Sequence, residues 1–256
     1  MSWRIPPAWR DRVAAASPPD ATLPVPGSAR PLGPRLAAVV ARLVPGAPLA
    51  DICADHARLC IAAVHAGRVP RALAIDVAAP PVADARAAVV AAGLGDAVQV
   101  ERGDGLAPVP DGWGGTVVVA GIGGRLSTRI LAAGAVRRVA PSRLIVQANS
   151  DEALVRDHLA ALGWGIVDEV LTAESGRLFL TVVAEPSAAS NVRDAVDRYV
   201  GPVLRRRPSP QRAAWLAVQR AWLAPRLAAL ERAGADEVEA TRERLAAIHA
   251  VDDATE

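Results

Sequence analysis

The 256-residue chain contains no lysine, so all 29 of its basic side chains are arginines. It has only two cysteines, which excludes the dense disulfide framework of small secreted domains and indicates a reducing compartment. No apolar run reaches the roughly 18 uncharged residues that a membrane-spanning helix needs. Residues 1–7 lack the apolar segment of a signal peptide. These absences together predict a cytoplasmic protein.

Aromatic residues are scarce at 3%, whereas alanine fills about a fifth of the chain. Because alanine favours helix almost everywhere, β-branched runs are the better guide to strands. The length is enough for one large domain with an appendage, and for a sizeable core that needs no disulfides.

Short strands alternate with helices between residues 32 and 186. Apolar runs predict strands at 49–53, 72–75, 98–100, 116–120 and 144–147. Helical patterns lie before and between them, at 32–44, 55–66, 80–92, 125–133 and 151–162. Two more strands, 166–171 and 178–183, flank Glu174-Ser-Gly-Arg177 and predict a hairpin that adds an antiparallel edge. This alternation predicts an α/β fold with a mostly parallel, doubly wound sheet.

The two ends of the chain have different patterns. Residues 1–31 are rich in proline, with a cluster at Ser17-Pro18-Pro19, and we expect a flexible extension. Residues 187–256 predict a helical, coiled-coil-like domain with helices at 191–207, 211–233 and 236–249. Trp215 and Trp222 lie on an apolar helical stripe, which indicates a packing seam rather than an exposed stacking platform. The region 32–186 between these ends is the predicted catalytic domain.

The net charge of +2 conceals a basic block. Residues 191–232 hold nine arginines and three acids, a local charge of 9 − 3 = +6. Such a block can bind a polyanion through counterion release, although a solvated helix face is the simpler alternative. Arg205, Arg206 and Arg207 are its densest part and are predicted to contact RNA.

Polar and small residues follow the predicted strands at their carboxyl ends, where open α/β sheets bind ligands. In chain order these are Asp51 to Asp55, Asp76, Gly103 to Gly105, Gly121 to Gly124, and Gln147 to Asn149. An acid after the second strand can accept both hydroxyls of a ribose, and one after the third can accept the amine of an adenine. Small residues after the first strand let the backbone approach a ligand closely. The set predicts a cofactor that carries adenosine.

The loop after the first strand lacks the G-x-G-x-x-G pattern that binds a pyrophosphate. Its acids, Asp51 and Asp55, would repel a pyrophosphate. They suit a cofactor with a positive centre and an amino group, and S-adenosyl-L-methionine has both.

These motifs resemble the bacterial tRNA (adenine-22-N1)-methyltransferase family. The family's D-I-G-S-D-H-A-Y-L-P stands here as Asp51-Ile-Cys-Ala-Asp-His-Ala-Arg-Leu-Cys60. Its G-D-G-L, I-A-G-M-G-G and L-Q-P-N stand at 103–106, 119–124 and 146–149, and its R-L and V-G-P at 35–36 and 200–202. The departures from the family pattern are Cys53, Arg58, Cys60 and Ala148, which replace glycine, tyrosine, proline and proline.

The resemblance implies a Rossmann-like class I methyltransferase that transfers a methyl group from S-adenosyl-L-methionine to N1 of an adenine in tRNA. The expected cofactor-binding residues are Asp51, Cys53, Ala54, His56, Asp76, Gly103, Asp104, Gly105 and Ala120. The expected catalytic residues are Asp55, Gly121 and Asn149, and Gly123 and Gly124 are expected to border the target base.

The target atom sets the expected mechanism. N1 of adenine already carries a lone pair, so the protein mainly has to position it. The product ring is cationic, and Asp55 is the candidate for stabilising it. The chain lacks the N-P-P-Y motif of enzymes that methylate exocyclic amines, which fits a ring-nitrogen target. Because N1 lies on the pairing edge, the base must be unpaired or flipped out.

The sequence disfavours a metal site and a serine hydrolase, and it leaves two other functions open. Cys53, His56 and Cys60 have the chemistry of metal ligands, but no fourth ligand is evident, so no metal is expected. A serine hydrolase is disfavoured because no G-x-S-x-G is present. A methyltransferase of the same fold with another RNA position or substrate remains open, as does an RNA-binding relative without catalysis.

Overall fold

The computed structural model describes residues 3–15, 22–186 and 190–252, which are organised around one mixed sheet. Its strands are β1 (Trp3–Arg4), β2 (Leu49–Ile52), β3 (Ala72–Asp76), β4 (Val98–Arg102), β5 (Thr116–Ile122), β6 (Arg143–Ala148), β7 (Trp164–Glu174) and β8 (Arg177–Pro186). The order across the sheet is β7-β8-β6-β5-β2-β3-β4, and the short β1 pairs with the start of β8. Strands β2 to β6 are parallel to one another.

The predicted hairpin is present as β7 and β8, and it adds the predicted antiparallel edge to the sheet. Strand β8 lies between β6 and β7 and is antiparallel to both, so the edge strand is β7. Strand β8 is internal because it pairs on both of its sides, with β6 and with β7. Local sequence shows which two strands share a turn, but not which of them docks on the parallel sheet.

Helices cover both faces of the sheet. They are α1 (Arg10–Ala15), α2 (Pro34–Val40), α3 (Arg58–His65), α4 (Ala79–Ala91), α5 (Gly124–Ile130), α6 (Ala133–Val139), α7 (Glu152–Ala161), α8 (Ala195–Tyr199), α9 (Pro210–Ala233) and α10 (Val238–Asp252). Val118 of β5 packs in the core with α2, α3 and α4, whereas Val117 and Val119 belong to the core beneath α5, α6 and α7. Strands covered on both faces explain the continuous apolar runs of the sequence. In the described ranges, no helix is long and apolar enough to cross a membrane.

Two predicted helices are shorter than expected because of their backbone. The helix expected from residue 55 begins at Arg58, since Asp55 and Ala57 have positive φ angles of 49° and 52°. The helix expected at 191–207 is only α8 and a separate 3₁₀ turn at Leu204–Arg206, because Gly201 has a φ of 119°.

Part of the predicted flexible extension is packed against the domain. Ile5 and Val13 are buried in the core that also contains Val117, and the Ile5 N–H donates to the carbonyl of Gly176 at 2.9 Å. The Ser17-Pro18-Pro19 cluster, which contributed to that prediction, lies outside the described residues.

A fully buried ion pair joins the C-terminal helices to the sheet. Arg156 of α7 and Glu169 of β7 are 2.8 Å apart, Nε to Oε1, and neither side chain is exposed. The two terminal nitrogens of Arg156 donate to the carbonyls of Arg198 and Val200. The other Glu169 oxygen accepts the backbone N–H groups of 203–204, at 2.9 and 3.2 Å. The pair therefore holds the chain segment that leads from α8 into α9.

Helix α9 shares the core of the sheet. Trp215, Leu216 and Leu223 are buried in the same cluster as Ile5 and Val13. Burial of Trp215 confirms that the tryptophan stripe is a packing seam. Helix α10 packs along α9 as the second arm of a helical hairpin.

We expect Gly201→Ala to destabilise the protein strongly. A Cβ at this position would overlap the Glu169 carboxylate, and the φ of 119° is unfavourable for any side chain. Disturbing a buried ion pair costs about 3–5 kcal/mol, which for this size lowers Tm by roughly 6–15 °C. Thermal unfolding followed by circular dichroism measures the effect.

Gly234→Ala is the matched control, because Gly234 also has a positive φ (63°) but a Cβ there would meet nothing within 4 Å. It should cost only the backbone strain of about 1–2 kcal/mol. Equal losses of Tm in the two variants would contradict a special role of the Glu169 contact.

Candidate functional site

The carboxyl ends of β2 and β5 enclose a cavity of about 300 Å³. Seven of the predicted site residues line it: Asp51, Cys53, Ala54, Asp55, His56, Ala120 and Gly121. Arg35, at the start of α2, lines the same cavity. The structure therefore brings the two longest predicted motifs together around one space.

The loop after β2 is built from left-handed residues. Cys53, Asp55 and Ala57 all have positive φ angles, between 49° and 62°. The loop bends back on β3, where the Ala54 N–H donates to the carbonyl of Ile75 at 3.0 Å. A left-handed non-glycine residue costs about 1–2 kcal/mol, which gives a physical reason for the family's glycine at position 53. Strain of this kind is concentrated at functional sites.

Asp51 is the buried carboxylate of the cavity, with 5% of its surface exposed. Burial raises the pKa of Asp51 to about 7; the positive charge of Arg35 opposes this rise and the negative charge of Asp76 adds to it. The Cys60 Sγ lies 4.0 Å from Asp51 Oδ2, in a buried contact. Asp51 therefore changes charge near neutral pH, where a cationic ligand can draw it into the ionised form.

The pKa of the Cys53 thiol is affected by three acids, each from the end of a different strand. Burial, together with the negative charges of Asp76, Asp51 and Asp104, raises the pKa of Cys53 to about 11. Negative charge from the carboxyl ends of β2, β3 and β4 therefore acts on this thiol, although Asp104 lines a different cavity. Cys53 is a neutral thiol rather than a nucleophile or a ready metal ligand.

Asp76 is held with its oxygens partly available. Its Oδ1 accepts the N–H of Ala78 at 3.0 Å, and its Oδ2 accepts the N–H of Asp55 at 3.4 Å. Val77 beside it is 60% exposed, an unusual state for an apolar side chain next to a polar site. Val77 is not among the site residues predicted from the sequence, although its position directly after Asp76 places it beside the predicted site.

Asp104 and Gly105 lie apart from the first cavity. They line a separate cavity of about 530 Å³ together with Leu126. Gly103 is explained by packing, since a Cβ there would overlap the ring of Pro108. A role of these three predicted residues in cofactor binding stays a prediction.

A second cavity of about 380 Å³ adjoins the first and shares Arg35 and Gly121 with it. Arg35 Nη1 donates to Gln147 Oε1 at 2.6 Å. The Gln147 amide donates to Asn149 Oδ1 at 3.1 Å, and the Asn149 amide donates to the carbonyl of Gly121 at 2.6 Å. This chain of hydrogen bonds fixes the wall between the two cavities.

Arg35 is the main functional candidate that the sequence analysis left without a role. Burial lowers its pKa, while Glu174 and Asp51 raise it. Its backbone N–H donates to Glu174 Oε2 at 2.9 Å, and its guanidinium lies 5.5 Å from the centre of the Phe179 ring. Nη2 has no hydrogen-bond partner within the described part of the chain. Its place in the R-L motif was the available signal.

Gly123 and Gly124 allow α5 to approach the loop after β6. A Cβ on Gly124 would lie 2.7 Å from the Asp151 carbonyl, and one on Gly123 would lie 3.2 Å from Ser150 Oγ. Both glycines thus have a packing reason. Their expected contact with the target base stays a prediction.

The predicted RNA-binding arginines already have partners inside the protein. Arg205 Nη1 lies 2.8 Å from Asp194 and 2.7 Å from Asp197, and Arg207 Nη1 lies 2.6 Å from Asp168. Arg206 Nη1 donates to the carbonyl of Pro202 at 3.0 Å. None of the three lines the two adjoining cavities. RNA contact by these arginines stays a prediction.

A metal centre finds no support in the described ranges, where no three His, Cys, Asp or Glu side chains form a candidate metal-binding group. Cys60 is buried inside α3 against Asp51 rather than facing Cys53 and His56 in the cavity.

Comparisons with known proteins agree with this geometry. Residues 32–182 match a methyltransferase domain family. The chain is 32% identical over 170 residues to the tRNA (adenine(22)-N(1))-methyltransferase of Bacillus subtilis (strain 168), covering 66% of this chain and 71% of that protein.

Solved structures give the same result. A Streptococcus pneumoniae protein proposed to be a tRNA (m1A22) methyltransferase, crystallised with S-adenosyl-L-methionine, is 32% identical, with a TM-score of 0.70 over 85% of this chain and 97% of that one. The B. subtilis M1A22 tRNA methyltransferase is 27% identical, with a TM-score of 0.74 over the same shares. Sequence motifs, fold and relatives agree, and the chain belongs to the tRNA (adenine(22)-N1)-methyltransferase family.

Proposed function

We propose that this protein is an S-adenosyl-L-methionine-dependent methyltransferase that methylates N1 of an adenine in tRNA, at the position equivalent to adenine 22 of its relatives' substrates. The observation that carries the proposal is the pair of adjoining cavities, which share Arg35 and Gly121. One is lined by the carboxylates Asp51 and Asp55, and the other offers space for a base beside them. A tRNA substrate also supports the expected cytoplasmic location.

The residues of the first cavity fit the cofactor's polar groups. Asp51 supplies a carboxylate for the amino group, and Arg35 supplies a guanidinium with an unpaired Nη2 for the carboxylate of the same amino-acid end. Asp76 has oxygens for the two ribose hydroxyls, and the exposed Val77 offers an apolar surface for the adenine ring. When bound, the cofactor supplies the electrophilic methyl group.

The protein's own residues position the nucleophile. Gly121 has a φ of 83°, and a Cβ there would point at Arg35 Nη1, 3.8 Å away, so a side chain would narrow the passage between the cavities. Asn149 fixes the Gly121 carbonyl. Asp55 lines the first cavity and is the carboxylate proposed to stabilise the cationic product ring. N1 needs no general base because its lone pair is free once the base is unpaired.

The decisive experiment identifies the methylated nucleoside. The purified protein is incubated with S-adenosyl-L-methionine and a tRNA transcript that carries A22, and the digest is analysed by mass spectrometry. We expect about one 1-methyladenosine per transcript and none in a matched transcript in which A22 is replaced by guanine. N6-methyladenosine or methylguanosine would indicate another target, and absence of both product and cofactor binding would indicate an RNA-binding relative without catalysis.

Cofactor binding should depend on pH through Asp51. Because its pKa is raised to about 7, Asp51 is mostly protonated at pH 6 and must lose that proton to hold an ammonium group. We expect the Kd of S-adenosylhomocysteine, measured by calorimetry, to be roughly tenfold higher at pH 6 than at pH 8. Asp51→Asn should bind more weakly and lose this dependence.

His56→Gln is the control, because it removes an imidazole from the same cavity and leaves Asp51 in place. The variant should keep the wild-type pH dependence. A flat profile in His56→Gln, or an unchanged profile in Asp51→Asn, would assign the titration to a different group.

Arg35 should recognise the cofactor's carboxylate. The wild type is expected to bind S-adenosyl-L-methionine roughly ten- to a hundredfold more tightly than decarboxylated S-adenosylmethionine, because a charge-assisted hydrogen bond is lost with the carboxylate. In Arg35→Met this ratio should fall close to one. Calorimetric titration of both ligands measures it.

Arg58→Met is the matched control, since Arg58 lines the same cavity but donates to the carbonyls of Arg30 and Pro31. It should retain the wild-type ratio. Loss of discrimination in Arg58→Met alone would transfer the carboxylate contact to Arg58.

A further inference from the structure

The N-terminal segment places a cation beside the second cavity. Strand β1 pairs antiparallel with the start of β8, with Arg4 directly opposite Arg177. Two contacts hold the backbone around Arg4. Strand β1 pairs with β8, and the N–H of the next residue, Ile5, donates to the carbonyl of Gly176. Burial of Ile5 and Val13 in the core fixes it further. The backbone at Arg4 is therefore held in place while its side chain is exposed.

Arg4 and Arg177 form a like-charged pair, and no carboxylate of the described residues makes an ion pair with either of them. Residues directly opposite in an antiparallel pair have neighbouring side chains, and like charges there repel. Within the described residues, neither guanidinium has a hydrogen-bond or ion-pair partner. This contrasts with Arg205 and Arg207, which are bonded to carboxylates. An anion from outside the chain would relieve the repulsion.

The pair is located where a nucleotide would enter. Both arginines line the 380 Å³ cavity, together with Arg35, Glu174 and Asn149. Three arginines and one glutamate give this cavity a charge of 3 − 1 = +2. Glu174 of β7 lies directly opposite Arg177, but its carboxylate accepts the backbone N–H of Arg35 at 2.9 Å and lies 4.0 Å from Arg35 Nε, so its polar contacts are with Arg35 rather than with the pair.

We propose that Arg4 and Arg177 bind backbone phosphates of the RNA strand whose base enters this cavity. The proposal rests on the proposed function, because a base that reaches the cavity carries its phosphates to the rim. RNA is favoured over a single small anion because the cavity continues into the cofactor cavity through Arg35 and Gly121. Arg4 precedes residue 32, where the match to the methyltransferase domain family begins, so this contact adds to the family domain.

The test compares tRNA binding by Arg4→Gln and Arg177→Gln with binding by the wild type over a range of salt concentrations. Each variant should raise the Kd for unmodified tRNA roughly three- to tenfold at physiological salt. Each should also reduce the slope of log Kd against log salt by about one. KM for tRNA should rise while kcat and the Kd of S-adenosylhomocysteine stay within about twofold of the wild type.

Arg10→Gln is the matched control, because Arg10 is exposed on α1 of the same segment and does not line the cavity. It removes the same charge and should leave the tRNA Kd and the salt slope unchanged. Unchanged tRNA binding in both Arg4→Gln and Arg177→Gln, or an equal loss in Arg10→Gln, overturns the proposal. Failure of the wild type to bind or methylate tRNA would instead overturn the proposed function, so the two failures are distinguishable.

Discussion

The buried pair of Arg156 and Glu169 determines how the two halves of the chain fit together. Two unexposed charges must be matched by other groups, and the carbonyls of 198 and 200 and the amides of 203–204 supply those partners. The turn around Gly201 is consequently fixed on the sheet, and α9 begins from a fixed point. Helix α9 packs against α1 and β1. The N-terminal segment beside the second cavity therefore packs against a helix whose start is fixed by this salt bridge.

A series of hydrogen bonds between polar groups likewise joins separate elements at the carboxyl edge of the sheet. Glu174, Arg35, Gln147, Asn149 and Gly121 are joined in sequence by hydrogen bonds that connect β7, α2, β6 and β5. The partners come from four elements, with Gln147 and Asn149 both at the end of β6, so removal of one loosens the wall between both cavities. A half-buried guanidinium is well suited to the central position, because its five N–H donors can hold the protein and a ligand together.

The sequence was sufficient for features that depend on local pattern and on general topology. The acids Asp51, Asp76 and Asp104 could be placed at one edge because parallel strands end together, and all three raise the pKa of Cys53, although only Asp51 lines the first cavity. The helix expected at 191–207 was wrong because Gly201 must avoid the Glu169 carboxylate, which lies 32 positions earlier in the chain. The insertion of β8 and the packing of Ile5 could not be foreseen for the same reason. Their partners are distant in sequence and leave no periodic signal.

A sum of charges along the sequence does not show which charged side chains are paired in the folded protein. The block at 191–232 has a charge of +6, yet Arg205 and Arg207 are each within 3 Å of a carboxylate, one of which, Asp168, lies outside the block. Coulomb energy falls with distance, so a carboxylate in contact with an arginine cancels most of the attraction of that arginine for an approaching anion. Arg4 and Arg177 belong to no basic run, but they lie opposite each other, and neither makes an ion pair with a carboxylate in the part of the chain that the structure describes. For attraction of a polyanion, we therefore expect Arg4 and Arg177 at the mouth of the cavity to contribute more than Arg205 and Arg207, which are already paired with carboxylates.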